Sequence, residues 1–237
     1  MSLDTYGSAF ALWRKGGPDA WSAPEAAAVG PGVGDDHLNV KAAPNGHVYA
    51  VVKTRNDTGA HPLVVLLDRA PDGTWTQTTA WAGTTNVTRP ILAVDVAHDE
   101  VQLFVTGPEA PSTNGEDGGS IYRKRAAMGA PSFDPSGLGE PVMARPGASR
   151  LNDASGSKQP ATAVSGLAVI AADSSRQRYW HHFERQRPAA WAPFSSSNAF
   201  ADQQAQDFWE ESLASPAVRV AVWERFDLAD QPAAQVV

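Results

Sequence analysis

The chain of 237 residues contains no cysteine. That excludes a disulfide framework, a thiolate zinc site and a cysteine nucleophile. Basic residues are also few: 19 Lys and Arg stand against 26 Asp and Glu, a formal net charge of −7. A nucleic-acid binder held by phosphate contacts needs the opposite balance, so no nucleic-acid partner is expected. No apolar run approaches the ~20 residues that cross a bilayer as a helix, so no membrane span is expected. Charged residues are only 19% and hydrophobic ones 42%, a globular rather than a disordered composition. The Walker A pattern, the Gly-x-Ser-x-Gly elbow and the His-Glu-x-x-His helix are all missing. Gly30–Gly34 (GPGVG) does not follow a strand and open a helix, so it is no dinucleotide loop. The start, Met1-Ser2-Leu3-Asp4, has no basic segment followed by an apolar one, and no signal peptide is visible.

What the chain has is turns and tryptophans. Its 20 Gly and 18 Pro favour short strands over long helices, and its 8 Trp fall in a pattern. Trp21, Trp75, Phe133 and Trp191 are spaced 54, 58 and 58 residues apart. Ahead of each lies a strand-like run: Ser8–Lys15, Leu63–Arg69, Ser120–Arg125 and Arg178–Phe183. Ahead of the last three lies a second run: His47–Lys53, Glu100–Thr106 and Gly166–Ala172. A third, weaker run precedes each of these: His37–Ala42, Arg89–Val94 and Ser157–Ala163. Pro44-Asn45-Gly46 is a strong hairpin signal between two such runs. Four antiparallel strands at this period read as a β-propeller blade. A β-sandwich is the alternative, and the shared spacing and turn order favour the propeller.

The expected fold is therefore all-β: four-stranded antiparallel propeller blades over residues 1–194, about three and a half of them, either closed by the tail or part of a larger ring. Residues 195–237 form a tail, with a short acidic helix over Phe200–Leu213 and a strand over Ala217–Phe226 that is able to close the ring. An open blade edge left uncovered would favour self-association.

Two short elements resemble a known family. Arg69-Ala70-Pro71-Asp72-Gly73-Thr74-Trp75 and Lys15-Gly16-Gly17-Pro18-Asp19-Ala20-Trp21 are similar to the Ser-x-Asp-x-Gly-x-x-Trp repeat of the sialidase-like β-propellers with BNR-type repeats. Asp35-Asp36-His37-Leu38-Asn39 looks like the element that opens an innermost strand in the branch with propeller polysaccharide lyases. The place where those enzymes often carry a His is here Lys53-Thr54. The resemblance implies a carbohydrate partner and an extracellular, secreted location in a bacterial protein. The implied function is a glycan-recognition or scaffold module; the alternative is a lyase or hydrolase acting on acidic glycans.

In a propeller, the starts of the innermost strands converge on one end of the channel. That rule gathers Asp35, Asp36, His37 and Asn39 from the first complete unit, Asn86, Thr88 and Arg89 from the next, and Asn152, Asp153, Ser157, Lys158 and Gln159 from the third. As an enzyme, the chain would use His37 as acid or base, Asp35 or Asp36 to orient it and Arg89, alone or with Lys158, to grip a carboxylate. Asp35, Asn39, Asn152, Asp153, Lys158 and Gln159 would contact the ligand. Asp35-Asp36 and Asn152-Asp153 also suit simple turns. Lys53, ending a second strand, is expected at the opposite face. His181 and His182 point to opposite sides of one strand and cannot easily share a metal. No metal site and no cofactor are expected; Ca²⁺ held by oxygen ligands is the alternative. Neither three strand-start arginines nor a Tyr nucleophile with a Glu partner is present, so no complete sialidase site is expected.

Overall fold

A computed structural model describes residues 2–3, 9–12, 14–17, 20–30, 32–35, 37–108, 119–143, 151–162, 166–173, 178–184 and 211–212. The described chain is all-β apart from a 3-10 turn at Gly83–Thr85. Its elements are β1 (Ser2–Leu3), β2 (Ala9–Leu12), β3 (Lys15–Gly17), β4 (Ala20–Trp21), β5 (Glu25–Val29), β6 (Leu38–Ala42), β7 (Val48–Lys53), β8 (Pro62–Arg69) and β9 (Trp75–Ala82). Then come β10 (Thr88–Asp95), β11 (Glu100–Gly107), β12 (Ser120–Ala127), β13 (Glu140–Met143), β14 (Leu151–Gly156), β15 (Leu167–Asp173), β16 (Arg178–Glu184) and β17 (Glu211–Ser212). They build a three-stranded first sheet (β1-β2-β5), a small hairpin (β3-β4) and three four-stranded antiparallel sheets in chain order: β6–β9, β10–β13 and β14–β17.

Alternation along the strands explains how the sheets stack. In β7, Tyr49 and Val51 face one apolar cluster while Ala50 and Val52 face another. The first pair packs toward Leu92, Val94, Val101, Leu103 and Val105 of the third sheet. The second packs toward Phe10, Ala27 and Ala28 of the first sheet. In the third sheet, Leu103 and Phe104 split the same way, Phe104 joining Leu151, Leu167, Val169 and Ala171 of the fourth sheet. A strand residue and its neighbour point to opposite faces, so a sheet with both faces apolar has a sheet on each side. That is why the middle strands β7, β8 and β11 are buried almost throughout. The first strands β6, β10 and β14 lie side by side.

The predicted units hold with local corrections. Turn chemistry placed the second sheet closely: Gly46 takes φ +88 between β6 and β7, and Gly73 takes φ +96 between β8 and β9. There Asp72 Oδ1 accepts the Thr74 N–H at 2.8 Å, so the Asp-Gly motif makes the tight bend expected of it. The other motif behaves differently. Trp21 lies in the β3-β4 hairpin and is 63% exposed, and the sheet partner of β2 is β5. Gly16, Gly17 and Pro18 favour this separate turn. Trp75 does pack between sheets, and Phe133 does so from the long segment joining β12 to β13. Trp191 lies outside the described residues.

The opening strand of the fourth sheet is Leu151–Gly156, not Ser157–Ala163. Its Asn-Asp-Ala-Ser-Gly composition reads as a turn because a bulge at Asp153 (φ +47) bends it. In the tail, Glu211–Ser212 is a short strand against β16 of the fourth sheet, where the sequence suggested the end of a helix. Residues 200–210 and the predicted strand Ala217–Phe226 lie outside the described residues.

Candidate functional site

The site is built at one end of β6, β10 and β14. Asn39, the second residue of β6, accepts the Leu92 N–H of β10 through its Oδ1 at 3.3 Å. That bond ties two neighbouring first strands together, so Asn39 has a structural partner. Just ahead of β6, Lys53 Nζ donates to Asp35 Oδ2 at 2.8 Å. The Lys53 N–H donates to the His37 carbonyl and the Asp35 N–H to the Lys53 carbonyl. Lys53 therefore belongs with Asp35 and His37 instead of at the opposite face. The signal was in the sequence: an antiparallel return brings the end of a second strand back beside the start of the first. Asp36 lies outside the described residues.

The third and fourth sheets supply a matched pair. The β10–β11 register runs from Thr88 opposite Thr106 to Ile91 opposite Phe104, so one extra residue bulges out. The β14–β15 register does the same from Asn152 opposite Ala172 to Ser155 opposite Ile170. Counting from these partners, Arg89 and Asp153 hold the same bulge position in adjacent sheets. Both take left-handed backbone, φ +52 and φ +47, and Arg89 does so directly before Pro90. A residue before proline normally favours extended backbone, and a non-glycine left-handed residue costs about 1–3 kcal/mol. The two side chains meet: Arg89 Nε lies 2.7 Å from Asp153 Oδ1. Arg89 is 24% exposed and Asp153 69%. Around them, Arg89 Nη1, Thr88 Oγ1, Thr106 Oγ1 and Asn152 Oδ1 are buried with no hydrogen-bond partner among the described residues. Asn86, with φ +52, ends the 3-10 turn just ahead of β10.

Ser157, Lys158 and Gln159 are not part of this group. They follow β14, while Asn152 and Asp153 open it. Lys41, near the far end of β6, donates to the carbonyls of Ser157 at 2.8 Å and Lys158 at 3.2 Å. At roughly 3.3 Å per residue, six residues separate Lys41 from Asp35 by about 20 Å. Burial, and then the positive charge of Lys158, push the Lys41 ammonium below its ordinary pKa. A second polar cluster shares that far end. The Asp95 carboxylate, 1% exposed, holds His98 Nδ1 at 2.9 Å and accepts from Gln102 Nε2 at 3.0 Å. Gln102 in turn accepts from Arg123, which donates to Glu140 across to β13. These bonds knit the third sheet together.

His181 and His182 are adjacent in β16, and their side chains lie outside the described residues. Among the described residues no three His, Asp or Glu side chains are placed to hold a metal ion. No described helix is long and apolar enough to cross a membrane.

No protein-family model matches the chain, and no curated protein sequence matches it. Solved structures do. The chain is similar to an exo-beta-1,3-galactanase from Phanerochaete chrysosporium, solved with galactose, at 11% identity and a TM-score of 0.44. Two variants of that galactanase with beta-1,3-galactotriose match at the same TM-score, with 11% and 9% identity. The alignments cover 62% of this chain and 34% of those chains, so this chain spans about a third of their length.

Proposed function

We propose that the chain is a glycan-recognition module of a secreted protein, its sheets forming blades of a β-propeller, with the binding face at the starts of β6, β10 and β14. The serial stacking of four sheets with their first strands side by side supports the propeller reading. One observation carries the functional reading. Two equivalent, strained bulge residues from neighbouring sheets, Arg89 and Asp153, meet at 2.7 Å near buried polar atoms that have no partner among the described residues. Backbone strain persists only where the surroundings enforce it, and it concentrates at functional sites. Mixed donors and acceptors of this kind suit sugar hydroxyls.

An acidic-glycan lyase or hydrolase would need Arg89 to grip a substrate carboxylate. Asp153 already takes the Nε edge of that guanidinium, which favours recognition over this chemistry. The test is a glycan array followed by calorimetry at millimolar sugar, on wild type and Arg89→Ala. Binding in the wild type that the substitution removes is expected. An intact, folded protein that binds no glycan on the array would overturn the proposal.

A further inference from the structure

Resting on that reading, we infer that the site takes a neutral polysaccharide presenting adjacent ring hydroxyls, and that Arg89 and Asp153 contact it as a pair. Charge decides the class. Of the described carboxylates and cations at this end, Asp35 pairs with Lys53 and Asp153 with Arg89, Arg55 and Asp57 follow β7, and the imidazoles of His37 and His61 lie at the same end, so three carboxylates stand against three cations. The whole chain carries −7. An anionic polymer meets no excess of cations among these described groups and is disfavoured by the net negative charge of the chain. A neutral sugar meets neither penalty.

Geometry sets the contact. Asp153 is largely exposed while Arg89 Nε holds one of its oxygens, so the other oxygen is turned toward solvent and able to accept hydroxyl protons. Beside it the Arg89 side chain is itself partly open to solvent, at 24% exposure, and presents guanidinium donors next to the Asp153 acceptor. Donor and acceptor then sit side by side, which is what two neighbouring hydroxyls require, each being at once donor and acceptor. The rigid bulges fix this pair in place before the ligand arrives, which lowers the ordering cost of binding. A lone carboxylate or a lone guanidinium would satisfy only half of each hydroxyl.

The experiment compares neutral galactan, xylan and glucan with polygalacturonate and alginate, by calorimetry on wild type, Asp153→Asn and Arg89→Lys. Thermal melts and near-ultraviolet circular dichroism of the tryptophans confirm folding. Wild type should bind at least one neutral polymer and hold both polyuronates at least about tenfold more weakly. Asp153→Asn keeps a side chain that tolerates left-handed backbone and leaves Arg89 uncompensated. It should lose neutral-glycan affinity about five- to tenfold and gain measurable polyuronate binding, a reversal that a purely structural role would not produce. Arg89→Lys keeps the charge but loses the planar fork, and should weaken neutral binding by a similar factor. If wild type prefers polyuronate, or if Asp153→Asn changes neither class, the neutral-ligand inference fails and glycan recognition stands. If no polymer of either class binds folded wild type, both fail.

Discussion

At the scale of single residues, Glu25 shows how one side chain fastens two sheets. From β5 its carboxylate accepts from Arg69 Nε at 2.6 Å and Nη2 at 3.1 Å, and from Trp75 Nε1 at 2.7 Å. The two-pronged Arg69 contact holds the Glu25 carboxyl below its ordinary pKa, with Trp75 helping and burial opposing. A carboxylate whose folded pKa is depressed contributes stability that is fully present above its unfolded value, 4.5, and is lost as pH falls through the folded one. Glu25→Gln should therefore cost about 1–2 kcal/mol at neutral pH. The gap from wild type should close between about pH 5 and pH 3. Denaturant unfolding across that range measures it; a constant gap would show that the Glu25 charge is not responsible. Gly139 tests backbone rather than charge. It sits at φ +94, and a Cβ there would run into the Arg123 carbonyl. Gly139→Ala should cost at least about 1–3 kcal/mol, against a usual gain from stiffening a loop. A melting temperature equal to or above wild type would refute this.

Elements show where sequence was legible and where it was not. The second sheet was readable because its turns are spelled by Asn45-Gly46 and Asp72-Gly73, which need left-handed backbone at glycine, and because β8 is an unbroken apolar run. The opening of the fourth sheet was not readable. Its bulge recruits Asn152 and Asp153, residues that ordinarily mark turns, and a local pattern cannot distinguish a bent strand from a loop. The same bulge carries the candidate site, so the least legible strand is the one that holds Asp153 beside Arg89. Lys53 was misplaced for a different reason: its position follows from strand direction, not from residue type. The long β12–β13 connection had no periodic signal because side-chain contacts fix it. Lys124 of β12 donates to the carbonyls of Ala80, Asp134 and Ser136 and lies 4.8 Å from the Trp81 ring centre. Burial pushes the Lys124 pKa down to about 8, the Asp134 charge only partly opposing it. The unfolded chain then holds more protons than the folded one between about pH 8 and 10.5, so this residue's penalty is relieved as pH rises through that window. Wild-type stability should climb relative to Lys124→Met from pH 8 to 10. A parallel pH dependence of the two proteins would show that the ammonium is not strained by burial.

At the scale of the whole molecule, the charges and the tryptophans separate into different tasks. The tryptophans Trp75 and Trp81 lie between sheets, where they hold the stack together, while the ion pairs at the start of β6, β10 and β14 cancel one another. The net charge of −7 belongs to the whole chain, whereas each of these two described pairs is neutral in itself. This has a consequence for binding in salt. Exposed charges are screened over about 8 Å at physiological ionic strength and over about 3 Å in molar salt. A ligand recruited by net charge loses affinity steeply along that series, whereas one held by hydroxyl contacts to an internally matched pair does not. The affinity for a neutral polysaccharide should change by less than about twofold between 0.05 and 0.5 M NaCl. Asp153→Asn should bind polyuronate with a clear decline over the same range, because its attraction comes from the uncovered Arg89 charge. Calorimetric titrations at four salt concentrations separate the two behaviours. A wild-type affinity that falls tenfold would mean that long-range charge, and not the paired hydroxyl contact, governs recognition at this face.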